Sequence, residues 1–269
     1  MSLIDIIIPI KGRPELLQDR SLPSLLAQTL PTFKVTNVDD GSTLEEFQKI
    51  QEIAEDCRQK GLKIDVIRNG GAAGARNFGF ESTSADYVLW FDSDDILLKN
   101  KLELSMSLIT SAHYDLTITR AQHIAGSNLI NEFWGEPTAP NRRTYEFHFP
   151  YQTMCALYRR SFLEACGIKW HEDVEMMNDW LFSNEIILST DNWVFSPVVT
   201  AHYFVPNSRS GSIGSRLTNA KIQSQRKAVQ KIQKVLKDQN MSYSQVARLR
   251  LLRHRLRLFV LSLGTAGKR

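Results

Sequence analysis

Short apolar runs, each closed by a polar or Pro/Gly cluster, set the rhythm of the first hundred residues. "LIDIIIPI" (3–10) is apolar and β-branched and is stopped by Pro9 and Gly12, which predicts a buried strand. "PELLQDRSLPSLLAQ" (14–28) predicts a helix with Pro14 at its first position and a break at Pro23. "FKVTNVDDGST" (33–43) is a strand ending in Asp39, Asp40 and a Gly-Ser turn. In 43–61 the spacing of Phe47, Ile50 and Ile53, the first-turn acids and Gly61 predict a helix. A third strand (63–69), a small-residue helix (72–83) and a fourth strand (86–92) follow.

This alternation predicts βαβ units, hence a Rossmann-like, mainly parallel α/β sheet with flanking helices. Such sheets bind ligands outside the carboxyl ends of their strands. Three of these ends are polar: Pro9 to Arg13, Asp39 to Ser42, and Asp92 to Asp95. Parallel topology brings all three to one edge. Beyond residue 97 the pattern predicts helices at 100–112, 161–167 and 178–190 and strands at 114–125 and 192–204. Between them, 126–150 reads as turn-rich and aromatic, with Trp134, Pro137, Pro140 and Pro150. Two basic amphipathic helices, 217–238 and 243–262, close the pattern.

Charge divides the chain. Residues 216–269 hold fourteen Lys or Arg and one acid, a charge of +13 against +4 overall, which leaves −9 for residues 1–215. The division predicts a catalytic region, 1–215, with halves 1–97 and 98–215, and a basic α-helical extension, 216–269. No apolar run approaches the ~20 residues of a membrane span. "MSLIDIIIPI" reads as a strand rather than a signal peptide. Cys57, Cys155 and Cys166 lack metal-type spacing and point to a reduced, cytoplasmic setting.

The strand ends carry the candidate chemistry. If 92–95 is extended, Asp92 and Asp94 face one way and Asp95 the other. Two carboxylates on one side make a hard oxygen set suited to Mg2+ or Mn2+, with open positions for a diphosphate. The alternative is that Asp94 or Asp95 caps the following helix. Asp39 and Asp40 suit a base imide or a ribose hydroxyl, or belong to the Asp-Gly-Ser turn. The small residues of "RNGGAAGARNFG" (68–79) permit close backbone approach, with Arg76 available to phosphate or base; the alternative is tight helix–sheet packing.

In order, "IDIIIPIKGRPELL", "SLLAQTL", "VDDGST", "RNGGAAGARNFGFESTSADYVLWFDSDD" and "NDWLFSNEI" resemble the family 2 glycosyltransferases over about residues 3–213. The resemblance implies the glycosyltransferase A-type fold and inverting transfer from a nucleoside diphosphate sugar, usually a UDP-sugar. The acceptor is a saccharide or a lipid-linked one, and the setting is bacterial surface polysaccharide synthesis. It implies nucleotide contacts at Pro9, Ile10, Arg13, Asp39, Asp40 (chiefly), Arg76, Asp92 and Ser93. It implies Mn2+ or Mg2+ on Asp92 and Asp94, completed by His202, and Asp179 as the base. The chain departs from the family's pattern at Ile10-Lys11-Gly12-Arg13, and at Asn178 where a Glu is usual. Asn cannot titrate, so Asp179 acts alone or with Glu172 or Glu175. The rivals are a sugar nucleotidyltransferase and a non-catalytic nucleotide-sugar-binding subunit. For the basic tail, three readings stand: an anionic membrane surface at the inner face of the cell, docking on the catalytic region or a second subunit, and nucleic acid. The scarcity of aromatics for stacking places nucleic acid last.

Overall fold

The computed structural model describes residues 3–69, 72–135, 144–145, 147, 150–205 and 218–266. Gly70, Gly71, Pro137, Pro140 and the 215/216 boundary lie outside the described residues. Strands β1 (Ile4–Ile10), β2 (Phe33–Asp39), β3 (Ile64–Arg68) and β4 (Tyr87–Trp90) form as their apolar runs predict. Between them lie α1 (Pro14–Leu16), α2 (Leu22–Leu26), α3 (Leu44–Gln59) and α4 (Ala72–Glu81). Thr43 and Glu46 close a reciprocal capping box at the start of α3. The break attributed to Pro23 falls earlier, as a π turn over Leu17–Ser21. Pro23 has no N–H for the carbonyl four residues back, and the Leu22 N–H instead bonds the Leu17 carbonyl.

β1, β2, β3 and β4 are parallel and lie in the order β3-β2-β1-β4, so the winding direction reverses at β1. Ile4, Ile6, Ile7, Ile8 and Ile10 are all buried, as a strand covered on both faces requires. β1 follows β2 to Ile10↔Asp39 but leaves β4 at Ile7↔Trp90. Pro9 therefore sits beyond the β4 ladder, where no N–H is needed on that side. The parting strands open a crevice at their carboxyl ends, the usual ligand position of this topology.

The second half adds β5 (Ile96–Leu97), α5 (Lys101–Ser111), β6 (Leu116–Ala125), β7 (Asn128–Trp134) and β8 (Thr144–Tyr145). A 3-10 turn at Thr153–Cys155 leads into β9 (Ala156–Arg159), α6 (Arg160–Cys166), α7 (Asn178–Ser189) and β10 (Trp193–Phe204). β9 enters antiparallel between β4 and β6, and β10 runs parallel to β6. Two expectations are corrected. Part of the turn-rich 126–150 stretch is a strand, β7, paired antiparallel with β6. Neither Asp94 nor Asp95 caps a helix, because β5 intervenes and Asn100 holds the N-cap of α5.

The basic extension forms α8 (Asn219–Asp238), β11 (Ser242–Tyr243) and α9 (Gln245–Ala266). α8 docks on α7 through Ala228, Ile232 and Leu236, which join Val174, Trp180 and Leu181 in a second, smaller core. Lys231 pairs with Asp173 at 3.2 Å beside it.

The small residues of α4 serve close packing. A Cβ at Gly79 would lie 2.5 Å from Ile7 Cγ2 and 3.1 Å from Val38 Cγ2, both in the buried sheet. Gly79→Ala is expected to destabilise by about 1–3 kcal/mol, lowering the melting temperature by several degrees in a thermal scan. An unchanged melting temperature would show that α4 lifts from β1 at no cost.

Candidate active site

Three loops meet at the crevice. The first leaves β1 through Gly12 and Arg13, both left-handed (φ 60° and 50°). The Gly12 N–H donates to Ser42 Oγ at 2.8 Å, which ties this loop to the end of β2. Arg13 then reaches across to Asp94, with Nη1 3.6 Å from Oδ2. The Ile10 side chain is in the core and its carbonyl accepts the Asp40 N–H, so only backbone at Ile10 is available to a ligand. Pro9 is half-buried beside it.

At the end of β2, Asp39 is fully buried. One carboxylate oxygen accepts the Ser42 N–H at 3.1 Å and the other pairs with Arg68 Nε at 3.0 Å. Asp39 thus builds the turn, and Asp40, also buried, is the acid next to it at the strand end. Arg68 lies over the Phe47 ring, 4.9 Å from its centroid.

The end of β4 supplies the acids. Residues 93–94 form a turn rather than continuing the strand, and that turn, not strand alternation, sorts the carboxylates. The Asp92 and Asp94 side chains stay partly exposed, at 24% and 31%, while Asp95 and Ser93 are buried. Asp95 Oδ1 accepts the Phe204 N–H at 2.9 Å, anchoring β10 to this turn. Burial first, and then the neighbouring Asp92, raise the Asp94 carboxyl above its ordinary pKa, with Arg13 opposing. Asp95 is pushed well above the ordinary range by burial and by Asp94 and Asp92.

Arg76 on α4 gives this cluster its main counter-charge. Its Nη2 donates to Asp92 Oδ1 at 2.7 Å, and its guanidinium lies over Trp170 at 4.5 Å from the ring centroid. Among the described residues, buried Arg76 Nε has no hydrogen-bond partner, so the guanidinium keeps donor capacity. Asp92 Oδ2 accepts from Thr153 Oγ1 at 3.1 Å. Asp179, half-buried in the first turn of α7, joins the group, since both Arg76 and Asp92 act on its pKa. Burial is the main cause raising it, while the Trp180 N–H, donating to Oδ1 at 2.8 Å, and Arg76 oppose.

Asn178 has a local reason to be an amide. Its Oδ1 accepts the His171 N–H and its Nδ2 donates to the His171 carbonyl, closing the loop before α7. A carboxylate cannot make the second bond. Glu172 and Glu175 are exposed, and Glu172 accepts from Asn77.

His202 is not brought to the acids. Among the described residues no three His, Cys, Asp or Glu side chains group closely enough to hold a metal ion. Burial alone lowers the His202 pKa, whereas burial first, and then Asp95, Asp179, Asp92 and Asp94, raise that of Tyr203. Successive strand side chains alternate, so Tyr203 takes the direction expected of His202. Three further residues escaped the sequence reading. Arg20, on the π turn, donates to the Asp94 carbonyl at 2.9 Å and stacks on Phe204 at 3.8 Å. Thr153 holds Asp92. Lys101, fully buried, donates from Nζ to Thr119 Oγ1 and to the Cys155 carbonyl, both at 2.8 Å, and burial lowers its pKa to about 8. Its helical position in α5 carries no sequence signal of such a role.

A carboxyl whose folded pKa is raised stabilises the fold fully only below its unfolded pKa, about 4. That contribution is lost as pH rises through the folded value. Asp94→Asn is therefore expected to melt higher than the parent at pH 7, without divalent metal, with the advantage vanishing near pH 4. Paired thermal scans at the two pH values test this; a variant less stable at pH 7 would show that Arg13 already outweighs the repulsion.

Known proteins share this architecture. The crystal structure of Staphylococcus aureus TarS 1–349 with UDP-GlcNAc superposes with a TM-score of 0.68 at 23% identity, covering 86% of this chain and 66% of that one. The mannosyltransferase PcManGT from Pyrobaculum calidifontis, in complex with GDP-Man and Mn2+, superposes at 0.62 and 16% identity, covering 86% and 64%. These likenesses establish the glycosyltransferase A-type fold. In sequence, an uncharacterized glycosyltransferase of Rickettsia bellii is 33% identical over 122 residues, 45% of this chain and 17% of that protein. The Escherichia coli UDP-Glc:alpha-D-GlcNAc-diphosphoundecaprenol beta-1,3-glucosyltransferase WfgD is 29% identical over 143 residues, 53% of each. The chain thus spans about half or less of these relatives. The profile of Glycosyl transferase family 2 matches residues 5–167, taking in every crevice acid except Asp179, and the chain belongs to that family.

Proposed function

We propose that this chain transfers a sugar from a UDP-sugar to a hydroxyl of a saccharide acceptor, free or lipid-linked, with inversion at the anomeric carbon, in bacterial surface polysaccharide synthesis. The observation that carries the reading is the convergence of Asp92, Asp94, Asp179 and Arg76 where β1 and β4 part. TarS with UDP-GlcNAc and the UDP-Glc donor in the name of WfgD support a UDP-sugar. The diphosphoundecaprenol acceptor in that name supports a lipid-linked one.

In this reading the nucleoside lies along the ends of β1 and β2, against Pro9, the Ile10 backbone and Asp40, with Arg13 at its edge. Asp39 and Arg68 hold that surface in shape. The oxygen donors fit a divalent cation: two partly exposed carboxylates, with Asp94 destabilised by its neighbour's charge. Asp94 and Asp92 would hold Mn2+ or Mg2+, leaving the other positions to diphosphate and water. When bound, the ion supplies Lewis-acid neutralisation of a departing diphosphate.

The remaining chemistry belongs to the side chains. Arg76, with donor capacity on Nε, is placed to orient the diphosphate while it holds Asp92. Asp179 accepts the proton of the acceptor hydroxyl as that oxygen bonds to the anomeric carbon and the bond to the diphosphate oxygen breaks. One Asp179 oxygen is held by the Trp180 N–H, which orients the other for this task. Its raised pKa makes it a stronger base than an ordinary carboxylate. The nucleotidyltransferase alternative lacks such support, since the Gly12 N–H, in the loop that would hold a triphosphate, is committed to Ser42.

Two measurements test the proposal. UDP with Mn2+ should raise the melting temperature of the parent, and much less that of Asp94→Ala; equal shifts remove Asp94 from the site. With the productive UDP-sugar, Asp179→Asn should lower kcat by about 100- to 10,000-fold. In the parent, kcat/KM should rise with pH through a value above the ordinary carboxylate pKa, because only the ionised base accepts a proton. Near-normal turnover by Asp179→Asn would refute the base assignment.

A further inference from the structure

The two tail helices behave differently. α8 is consumed by packing on α7. α9 packs through one stripe: Ala247, Leu251 and Leu258 are buried, and His254 faces the Phe147 ring. A second apolar stripe stays exposed: Val246, Leu249, Leu252, Leu256 and Val260 are each 47–64% exposed. At about 100° per residue they fall on a single arc away from the packed stripe. Arg248 and Arg255 border this arc on one side and Arg250 and Arg257 on the other, with Arg253 near its edge, all exposed. No acid occurs from Gln245 to Ala266.

We propose that the outer face of α9 lies on an anionic phospholipid surface, with its apolar stripe in the acyl boundary and its arginines at the phosphates. Charge selects this occupant. Arginines on both borders of a helix that itself contains no acid match a sheet of negative headgroups on either side of a helix lying in the plane. A second copy of the same face would set arginine rows against each other. The helix lies on the surface rather than crossing it, since no helix among the described residues is long and apolar enough to span a membrane. The arginine stems lie along the apolar stripe while their heads stay at the headgroups. This inference is independent of the glycosyl-transfer reading, because it uses no crevice residue.

Flotation of the full chain with vesicles tests it. The parent should float with phosphatidylcholine–phosphatidylglycerol vesicles and remain with the soluble fraction on pure phosphatidylcholine. Leu252→Glu/Leu256→Glu, both at exposed positions, should abolish flotation while keeping the parent's melting temperature and its UDP–Mn2+ thermal shift. Each border arginine changed to Gln should weaken partitioning about fivefold. Failure of the parent to float on anionic vesicles overturns the proposal. So does flotation by the double Glu variant, which would place the lipid contact elsewhere. A concentration-dependent dimer of the parent in sedimentation, lost in the same variant, would instead assign the stripe to a second copy.

Discussion

Crowded negative charge at the crevice is the constraint around which the rest of this structure is arranged. Four carboxylates, Asp92, Asp94, Asp95 and Asp179, act on one another or on Tyr203 at the place where β1 and β4 part. Such a group stands only if counter-charge and hydrogen-bond donors arrive from elsewhere in the chain. They come from four separate segments: Arg13 after β1, Arg20 on the π turn, Arg76 on α4, and Thr153 before β9. Among the described residues, the Arg76–Asp92 contact is the short ion pair of this cluster. Arg13 is longer, at 3.6 Å, and Arg20 spends its hydrogen bond on backbone. Among the described residues, only Asp92 and Asp94 of these four acids are paired with an arginine.

Rigidity beneath the cluster has its own cost. Asp92 leans on Thr153, which opens the Thr153–Cys155 turn, and the Cys155 carbonyl at the end of that turn accepts from buried Lys101. Burying an ammonium with only neutral partners is unfavourable, as its lowered pKa reflects. In return, one side chain fastens α5, β6 and the turn together, since its second acceptor, Thr119, also bonds Thr200 on β10 at 2.6 Å. At the opposite, amino edge of the sheet, Arg160 makes a comparable clamp. It binds Asp5, Thr83 and the carbonyls of Phe80 and Ala85, and so ties β9 to the start of β1. The two clamps hold the antiparallel strand β9 in place between β4 and β6.

What was legible in the sequence was what local physics decides. β-branched runs closed by Pro and Gly gave the four parallel strands, and parallel topology then placed three polar strand ends together, as the Gly12–Ser42 and Arg13–Asp94 contacts show. Long-range choices were not legible. β9 is four residues long and its place in the sheet is set by Arg160, about eighty residues from its partners Phe80 to Ala85. Alternation set Asp95 apart from Asp92 and Asp94, but it does not foresee that a turn at 93–94, rather than an extended strand, does the sorting. The choice between His202 and Tyr203 rests on the register of β10 against β6, which is irregular between Ser196 and Ala201. β10 advances five residues there while β6 advances two, and such an odd offset reverses which neighbour faces the acids.

The basic tail illustrates the same division, and it bears on catalysis. Composition alone separated it from the acidic body, which encourages the view of an appendage. Yet α7 presents Asp179 from its first turn while Trp180 and Leu181, the next two residues, are buried against α8. Asp179 and these buried anchors share one helical turn, so the packing of α8 on α7 reaches the turn that carries Asp179. α9 in turn rests on α8, on the side of the core that includes Phe147. Two packed helix interfaces thus lie between the outer face of α9 and the turn that carries Asp179. Helix interfaces of this kind resist gradual deformation, because close-packed side chains transmit displacement rather than absorb it.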